Sequence, residues 1–560
     1  MQHNNLGGPM KSFSYLPFFV LFFSISIFAQ DFQRTVIPVD TTFEVGGYGY
    51  ILAGYDIDGD GKKEIYAVNS NSVDRPSELI PRIYKYEFNG TSWDSVWGAT
   101  PDIPLQNTWP AFAIGDLDGD GKMELIWSPV NFLDETTNPN PARVVIYEHP
   151  GGNEEHFGVD DGTGTGNYLP NVEYTIVNEN MANLRPFKFV VSDIDSDGKD
   201  ELMFCDRAAS TGYGMHFAVL SVDNVPDNGD GSETWTIETS GKDNPVLTGT
   251  QDKWDIAVLN NYMYLFNITS SSTGANTGKV FPVKYENNVW TVLPAINSVG
   301  KNGSFKSASV VDIDKDETFE IVYGGWFDGQ VYLLQPEGDS LVEYKIANLD
   351  TLGISRINGG DYGDINGDGK MDFVFGSRNG ADPNNAIGWV KYLGGDITDS
   401  NSYAVQLIDS LYYPAGHDMD EVAIADLFDN AAEEIVYSSG YTRGVSDDHP
   451  ADIVILNYTG SVSVKPITQN APDNYFLDQN FPNPFNPTTT FRFGLKTESN
   501  VDLKIYDILG REVAVLIQNT RMKPGEYDIT FDASALASGT YIYKLTAGNV
   551  SVSKKMSLLK

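Results

Sequence analysis

The 560-residue chain contains a single cysteine, Cys205, so no intramolecular disulfide can form. It has six histidines, and only 37 Lys plus Arg against 77 Asp plus Glu, for a formal net charge of −40. A surface this acidic repels phosphate backbones and argues against a nucleic-acid partner. Cys205 ends the apolar run Glu201-Leu-Met-Phe-Cys205, where a buried, inert thiol is expected rather than a nucleophile. Beyond the N-terminal region no run of about 20 apolar residues occurs, so no transmembrane segment is expected. No catalytic motif is legible.

What is abundant points to a turn-rich β protein. Hydrophobic residues make up 41% and aromatics 12%, with 54 Gly, 30 Tyr and 30 Phe. Lys11 followed by the apolar run Tyr15 to Phe28 and then Ala29 reads as a signal peptide over residues 1–29, with Met10 as an alternative start. No cysteine follows the expected cleavage point, so a lipid anchor is not expected there.

One pattern organises the chain: a short apolar strand, acids at alternate positions, then another apolar strand. Copies begin at Asp56 (DIDGDGKKE), Asp116 (DLDGDGKME), Asp193 (DIDSDGKDE), Asp312 (DIDKDETFE) and Asp364 (DINGDGKMD), with a decayed copy at Asp426 (DLFDNAAEE). The one long gap, between Asp193 and Asp312, contains Trp254 to Leu259, Asn260-Asn261 and Tyr262 to Phe266, the same hairpin with a tight turn for a loop. Counting it gives seven units, each long enough for about four short strands, which predicts a seven-bladed β-propeller over residues 30–464. The first segment, Thr35 to Val45, and the last, Ile453 to Tyr458, are expected to complete one blade and close the ring.

The loops have the chemistry of calcium sites. In the first, Asp56, Asp58 and Asp60 hold positions 1, 3 and 5, Gly61 permits the turn, Lys62 offers a backbone carbonyl at position 7, and Glu64 holds position 9. The corresponding sets are Asp116, Asp118, Asp120, Lys122 and Glu124, then Asp193, Asp195, Asp197, Lys199 and Glu201. They continue with Asp312, Asp314, Asp316, Thr318 and Glu320, and with Asp364, Asn366, Asp368, Lys370 and Asp372. Several hard oxygens converging on one concavity select calcium, giving about five expected sites. An EF-hand would need an acid at position 12, where these loops have Ala67, Trp127, Phe204, Tyr323 and Phe375. A single Asp-Gly stretch would read as an ordinary turn; five aligned copies do not. Glu317 stands where glycine is wanted and is expected to strain its turn, and Phe428 in the sixth copy predicts an empty loop.

These loops resemble the FG-GAP and VCBS-type repeats of integrin α-subunit propellers and bacterial surface proteins, over most of residues 46 to 440. The resemblance implies calcium loops on one rim that serve structure rather than catalysis. The C-terminal segment is different. Three prolines fall within Asn480 to Pro487, followed by strand-like runs at Phe491 to Phe493, Val501 to Tyr506, Tyr527 to Phe531 and Thr540 to Leu545. This predicts a small Ig-like β-sandwich at 475–560 after a linker at 465–474. Its Pro-Asn-Pro-Phe-Asn-Pro, Tyr506-Asp-Ile-Leu-Gly-Arg, Ala537-Ser-Gly-Thr-Tyr and final Lys554-Lys-Met-Ser-Leu-Leu-Lys560 resemble the type A sorting domain of the type IX secretion system. That resemblance implies the type IX machinery as a partner and an extracellular or outer-cell-surface location.

Three functions compete outside the cell. The first is a binding or adhesion module for glycan or protein, with its ligand face opposite the calcium rim, where Trp109, Arg185, Phe305, Arg356 and His417 precede the loops by one strand. The second is a calcium-containing polysaccharide lyase or hydrolase, for which no catalytic residues can be named. The third is a passive structural component of the surface layer, since fold alone does not decide among them.

Overall fold

The computed structural model describes residues 32–38, 48–69, 81–100, 109–128, 142–164, 166–176, 184–208, 214–268, 278–297, 303–378, 384–412, 421–428, 432–438, 452–459, 465–468, 472, 474–497, 499–508, 511–522, 524–533, 536, 538–548 and 550–559. The expected signal peptide, His417 and residues 39–45 of the expected closing segment lie outside these. Among the described residues no helix is long and apolar enough to cross a membrane.

Seven antiparallel sheets follow one another. Blade 1 comprises Tyr48–Tyr55, Glu64–Asn69, Ile83–Phe88 and Trp93–Ala99, hydrogen-bonded in that order. Blades 2, 3, 5 and 6 repeat the plan, with first strands Ala111–Gly115, Pro186–Ser192, Ser309–Val311 and Ile357–Gly363. Blade 4 begins with Lys253–Leu259 and turns at Asn260-Asn261 into Tyr262–Asn267, as the shortened hairpin predicted. Blade 7 takes Val422–Ala425, Glu434–Ser438 and Ile453–Tyr458, and receives Phe32–Ile37 as its outer strand. That strand runs antiparallel to the last, from Phe32 opposite Tyr458 to Ile37 opposite Ile453, so the two ends of the propeller close one blade.

The first strand of each blade packs against the first strand of the next, all the way round from blade 1 through blade 7 and back. The ring is therefore seven-bladed with these strands innermost. Close approach there selects small residues: a Cβ on Gly115 would sit 2.4 Å from Val191 of blade 3, and one on Gly54 would sit 2.6 Å from Ala425 of blade 7. Each second strand is covered on both faces by neighbouring blades, which is why Glu124–Ser128 and Glu201–Asp206 are buried throughout and read as apolar runs after their acids. Cys205 lies in one of them, fully buried, and burial pushes its thiol up, so it is unreactive.

The C-terminal module is two four-stranded sheets around Phe491, Phe493, Leu503, Ile505, Ile529 and Tyr543. Lys465–Thr468, expected in the linker, pair with Gly525–Asp532 as an edge strand of this module. The Pro-rich motif is tied down by polar contacts: the Asn480 amide donates to Tyr543 Oη at 2.9 Å, and the Phe485 amide donates to the Ser557 carbonyl at 3.0 Å.

Candidate functional site

The acid loops all lie where an innermost strand turns into the second strand. The first Asp of each caps the turn. Asp116 accepts from the amides of Gly119, Asp120 and Gly121 at 2.9, 3.1 and 2.9 Å, and Asp193, Asp312 and Asp364 each accept from the fifth- and sixth-position amides of their own loops. The fifth-position acid accepts from the seventh-position amide in all five loops. Glu317 adopts φ +70°, the left-handed conformation that its position demands and glycine would take without strain.

The ninth-position acid begins the second strand and is buried. Glu64, Glu124, Glu201 and Glu434 each accept from the amide following the first Asp: Ile57 at 3.1 Å, Leu117 at 2.8 Å, Ile194 at 3.1 Å and Leu427 at 2.9 Å. The decayed blade 7 loop keeps this bond although Phe428 replaces its third-position acid, so the bond closes the hairpin independently of any metal. Asp372, one methylene shorter, accepts from the Tyr392 amide at 3.0 Å. Burial pushes these carboxyls up, Glu64 and Glu320 to about 7, Glu201 to about 8 and Glu124 to about 9.

A cation fits this set. Ligand oxygens of Asp116, Asp118, Asp120 and Glu124 lie within 4.8 Å of one another, as do those of Asp56, Asp58 and Glu64 and of Asp193, Asp195 and Asp197. Glu124 Oε1 and Glu320 Oε2 are buried with no hydrogen-bond partner, which is costly unless a metal takes them. All the donors are hard oxygens.

Blade 1 also carries a cation that the sequence pattern does not reveal. Lys85, on the third strand, is fully buried, and its Nζ lies 2.5 Å from Asp58, 2.7 Å from Glu87, 2.9 Å from Glu155 and 3.6 Å from Glu64. Burial opposes its charge, but the surrounding carboxylates outweigh it and hold the ammonium protonated. Ile146 occupies the matching register in blade 2, where the half-buried Lys122 reaches Asp120 at 3.0 Å and Glu148 at 3.4 Å and also pairs with Asp227.

The opposite end of the propeller is built from different chemistry. Trp109 precedes blade 2, Arg185 precedes blade 3, and Arg356 precedes blade 6; all three are half-buried. Phe305 corrects the expectation: it is 1% exposed, with Trp254, Phe187 and Trp326 packed around it at centroid distances of 5.4, 4.9 and 4.2 Å. The segment before blade 5 crosses the axis, so Phe305 supports the other rings and does not face solvent. Beside it Lys306 is buried, 2.8 Å from Glu421 and 3.2 Å from the Pro110 carbonyl. On this plug Arg378 lies over Trp109 at 4.6 Å and over Trp326 at 5.5 Å, Arg207 lies over Trp109 at 5.0 Å, and Arg356 lies over Phe327 at 5.2 Å. Arg207, Arg378 and Trp326 follow second strands, at the end away from the loops, and nothing in their local sequence marks them. A separate open cavity of about 580 Å³ lies at the outer edge between blades 1 and 2, lined by Trp97, Tyr168 and His156, whose ring stacks on Tyr168 at 4.8 Å.

Residues 56–127, the loops and hairpins of blades 1 and 2, match the FG-GAP-like repeat family, and residues 479–558 match the secretion system C-terminal sorting domain. No curated protein matches the chain. Among solved structures, the core factor of S. cerevisiae is 9% identical with TM-score 0.39, covering 77% of this chain and 62% of its own. A luciferin-regenerating enzyme is 9% identical with TM-score 0.35, covering 76% and 96%. A puromycin-hydrolyzing peptidase of Mycobacterium tuberculosis is 13% identical with TM-score 0.34, covering 81% and 59%. At these scores none carries an argument about this chain.

Proposed function

We propose that this chain, an FG-GAP-repeat propeller exported to the cell surface or beyond by its C-terminal sorting domain, is a calcium-braced binding module. The observation that carries the reading is the division of labour between its two ends. Acid loops, each closed by hairpin hydrogen bonds, converge at one end; half-buried aromatic and guanidinium groups from several blades converge at the other. Calcium in the loops would neutralise carboxylates that are otherwise buried against one another, and so brace the strands that hold the opposite face. Rings such as Trp109 and Trp326 offer flat apolar surface, and the arginines offer forked donors, which together suit a glycan or a protein loop. Adhesion follows from surface display of such a face.

The test uses the full chain with calcium against a panel of algal, plant and bacterial polysaccharides. Saturable retention that chelator abolishes is the expected result. New soluble oligosaccharides detected by mass spectrometry, and lost on heat denaturation, would make the protein an enzyme instead. Absence of any retention, together with calcium-driven self-association, would leave it a structural surface component.

A further inference from the structure

We infer that the open cavity at the outer edge between blades 1 and 2 is a binding site of its own, and that it takes a neutral sugar chain on the rings of Trp97, Tyr168 and His156, with Asn153 and Glu154 as partners for its hydroxyls. The site stands on outer strands, separate from the aromatic face proposed above, and either can fail without the other.

One wall of the cavity is an excursion of the chain that folding of the blade does not require. A hairpin connection needs about 2–5 residues. Blade 1 joins its third strand to its fourth through 89–92, blade 4 through 287–288 and blade 5 through 338–339. Blade 2 spends 149–171 on the same connection, including a small hairpin of its own in which Val159–Asp160 pair with Tyr168–Leu169.

This excursion is fastened in place. His149 is buried and uses both ring nitrogens within it: Nε2 lies 2.8 Å from the Glu154 carbonyl, and Nδ1 accepts from the Gly151 amide at 3.2 Å. Phe157 is fully buried against Tyr66 and Trp97, at centroid distances of 5.7 and 5.4 Å. Gly158 permits the close approach of the small hairpin, since a Cβ there would sit 2.5 Å from the Leu169 carbonyl oxygen. A ligand therefore meets a wall already ordered and does not bear the cost of ordering it.

The rings line an opening instead of closing it. Tyr168 and His156 stack at 4.8 Å with 19° between their planes, and Trp97 of blade 1 stands 6.3 Å from Tyr168. All three line the cavity, whose volume of about 580 Å³ falls in the range of about 300–1,000 Å³ typical of small-molecule sites. Tyr168 and His156 are only half-buried, so ring surface remains for a ligand. A sugar lays its C–H face on such rings and turns its hydroxyls outward. Asn153 and Glu154 are exposed in the same lining, where a carboxamide and a carboxylate supply both donor and acceptor.

The lining selects against a charged ligand. Among the described residues no lysine or arginine lines the cavity, whereas Glu154 and Glu155 do. An acidic sugar would meet two carboxylates and no lining cation. A cationic ligand would find Glu155 already held by the Lys85 ammonium at 2.9 Å and Glu154 beside His156 Nδ1 at 3.7 Å. A neutral chain asks only for the rings and the hydroxyl partners.

The experiment titrates the full chain, in calcium, with xylohexaose, mannohexaose, cellohexaose and laminarihexaose by calorimetry, and with trigalacturonate and deacetylated chitotriose as acidic and cationic probes. Tyr168→Ala and Ser95→Trp are measured alongside. Ser95 lines the cavity and is exposed on the strand that carries Trp97, so a large ring there fills the site without removing any packing. Saturable binding of at least one neutral hexaose is expected, at least tenfold weaker in both variants, with the charged probes bound more weakly or not at all. Ser95→Trp keeps the test valid if Tyr168→Ala loosens the excursion, and an unchanged melting temperature in calcium certifies its fold. No binding of any neutral hexaose overturns the inference. Binding that both variants retain in full puts the sugar elsewhere on the molecule, which overturns the inference and leaves the binding reading above in place. Tighter binding of a charged probe, lost in Ser95→Trp, overturns the assigned ligand class.

Discussion

The two ends of this propeller bury charge in opposite ways. At the loop end, carboxylates from residues within one short loop face one another. At the far end, cations from different blades lie on aromatic rings or pair with single acids. The contrast is sharpest within the loop end itself. Blade 1 encloses the Lys85 ammonium among Asp58, Glu64, Glu87 and Glu155, whereas blade 2 has Ile146 in that register and leaves Glu124 Oε1 without a partner. One loop motif thus sits in two electrostatic settings. The loop acids are local, but the compensation for their burial comes from whichever neighbouring strand happens to carry a cation.

The largest expected effect is that of calcium removal. A loop saturated at 100 times its dissociation constant adds about 2.7 kcal/mol to stability, and several loops act together. Chelation should therefore lower the melting temperature steeply, as followed by calorimetry in matched calcium and EDTA buffers. An unchanged melting temperature would falsify the calcium assignment.

Next comes Lys85→Met, which leaves Asp58, Glu64 and Glu87 buried without their ammonium. Breaking a buried pair costs about 3–5 kcal/mol. Chemical denaturation should show a loss of that order, shrinking as calcium is raised if the freed carboxylates accept the metal. A loss well below 1 kcal/mol would mean that Lys85 is not what holds the blade 1 acids.

Glu124→Gln and Glu434→Gln separate the two roles of the ninth position. Both keep an oxygen for the amide of Leu117 or Leu427, so in calcium-free buffer each should cost about 1 kcal/mol or less in stability. Only Glu124→Gln should reduce the calcium stoichiometry or affinity in titration calorimetry, because Glu434 belongs to the loop that Phe428 interrupts. Equal calcium binding by both variants would remove Glu124 from the ligand set.

A pH-dependent effect belongs to the far end. Burial pushes Lys253 down to about 7, with Asp252 and Asp206 opposing the shift, and its Nζ bonds Thr250 Oγ1 at 3.0 Å and the Gln251 carbonyl at 2.5 Å. Its folded-state pKa is below the unfolded value, so between about pH 7 and 10.5 the unfolded chain binds more protons and the Lys253 contribution rises with pH. Urea midpoints at fixed calcium should climb over that window more in the parent than in Lys253→Met. Parallel profiles would show that Lys253 is charged in the fold.

Much of this molecule was legible because its repeat is local. Alternate acids, a glycine at the turn and a ninth-position acid are all set by residues within one hairpin, so the loops, their strands and the seven-unit count emerged from spacing. The blade 4 hairpin was legible even without its acids, because its apolar strands flank Asn260-Asn261. The first blade strand was placed a few residues late, at Thr35 rather than Phe32, since an outer strand is half-exposed and its alternation is weak. Phe305 was misjudged because its position before a blade strand matches that of Trp109, and no local signal says that its segment crosses the axis. Lys85 could not be seen at all: it lies between Tyr84 and Tyr86 like any outward-facing lysine of a strand.

By itself, then, the sequence determined the blade unit, the acid loops and the sorting module, because each depends on contacts between residues close in the chain. Only the tertiary structure decided which loop has an internal ammonium, which ring fills the axis and which arginines share a face. Those outcomes depend on ring closure, which brings Trp109, Phe305 and Arg378 from three separate blades into contact across hundreds of residues of sequence.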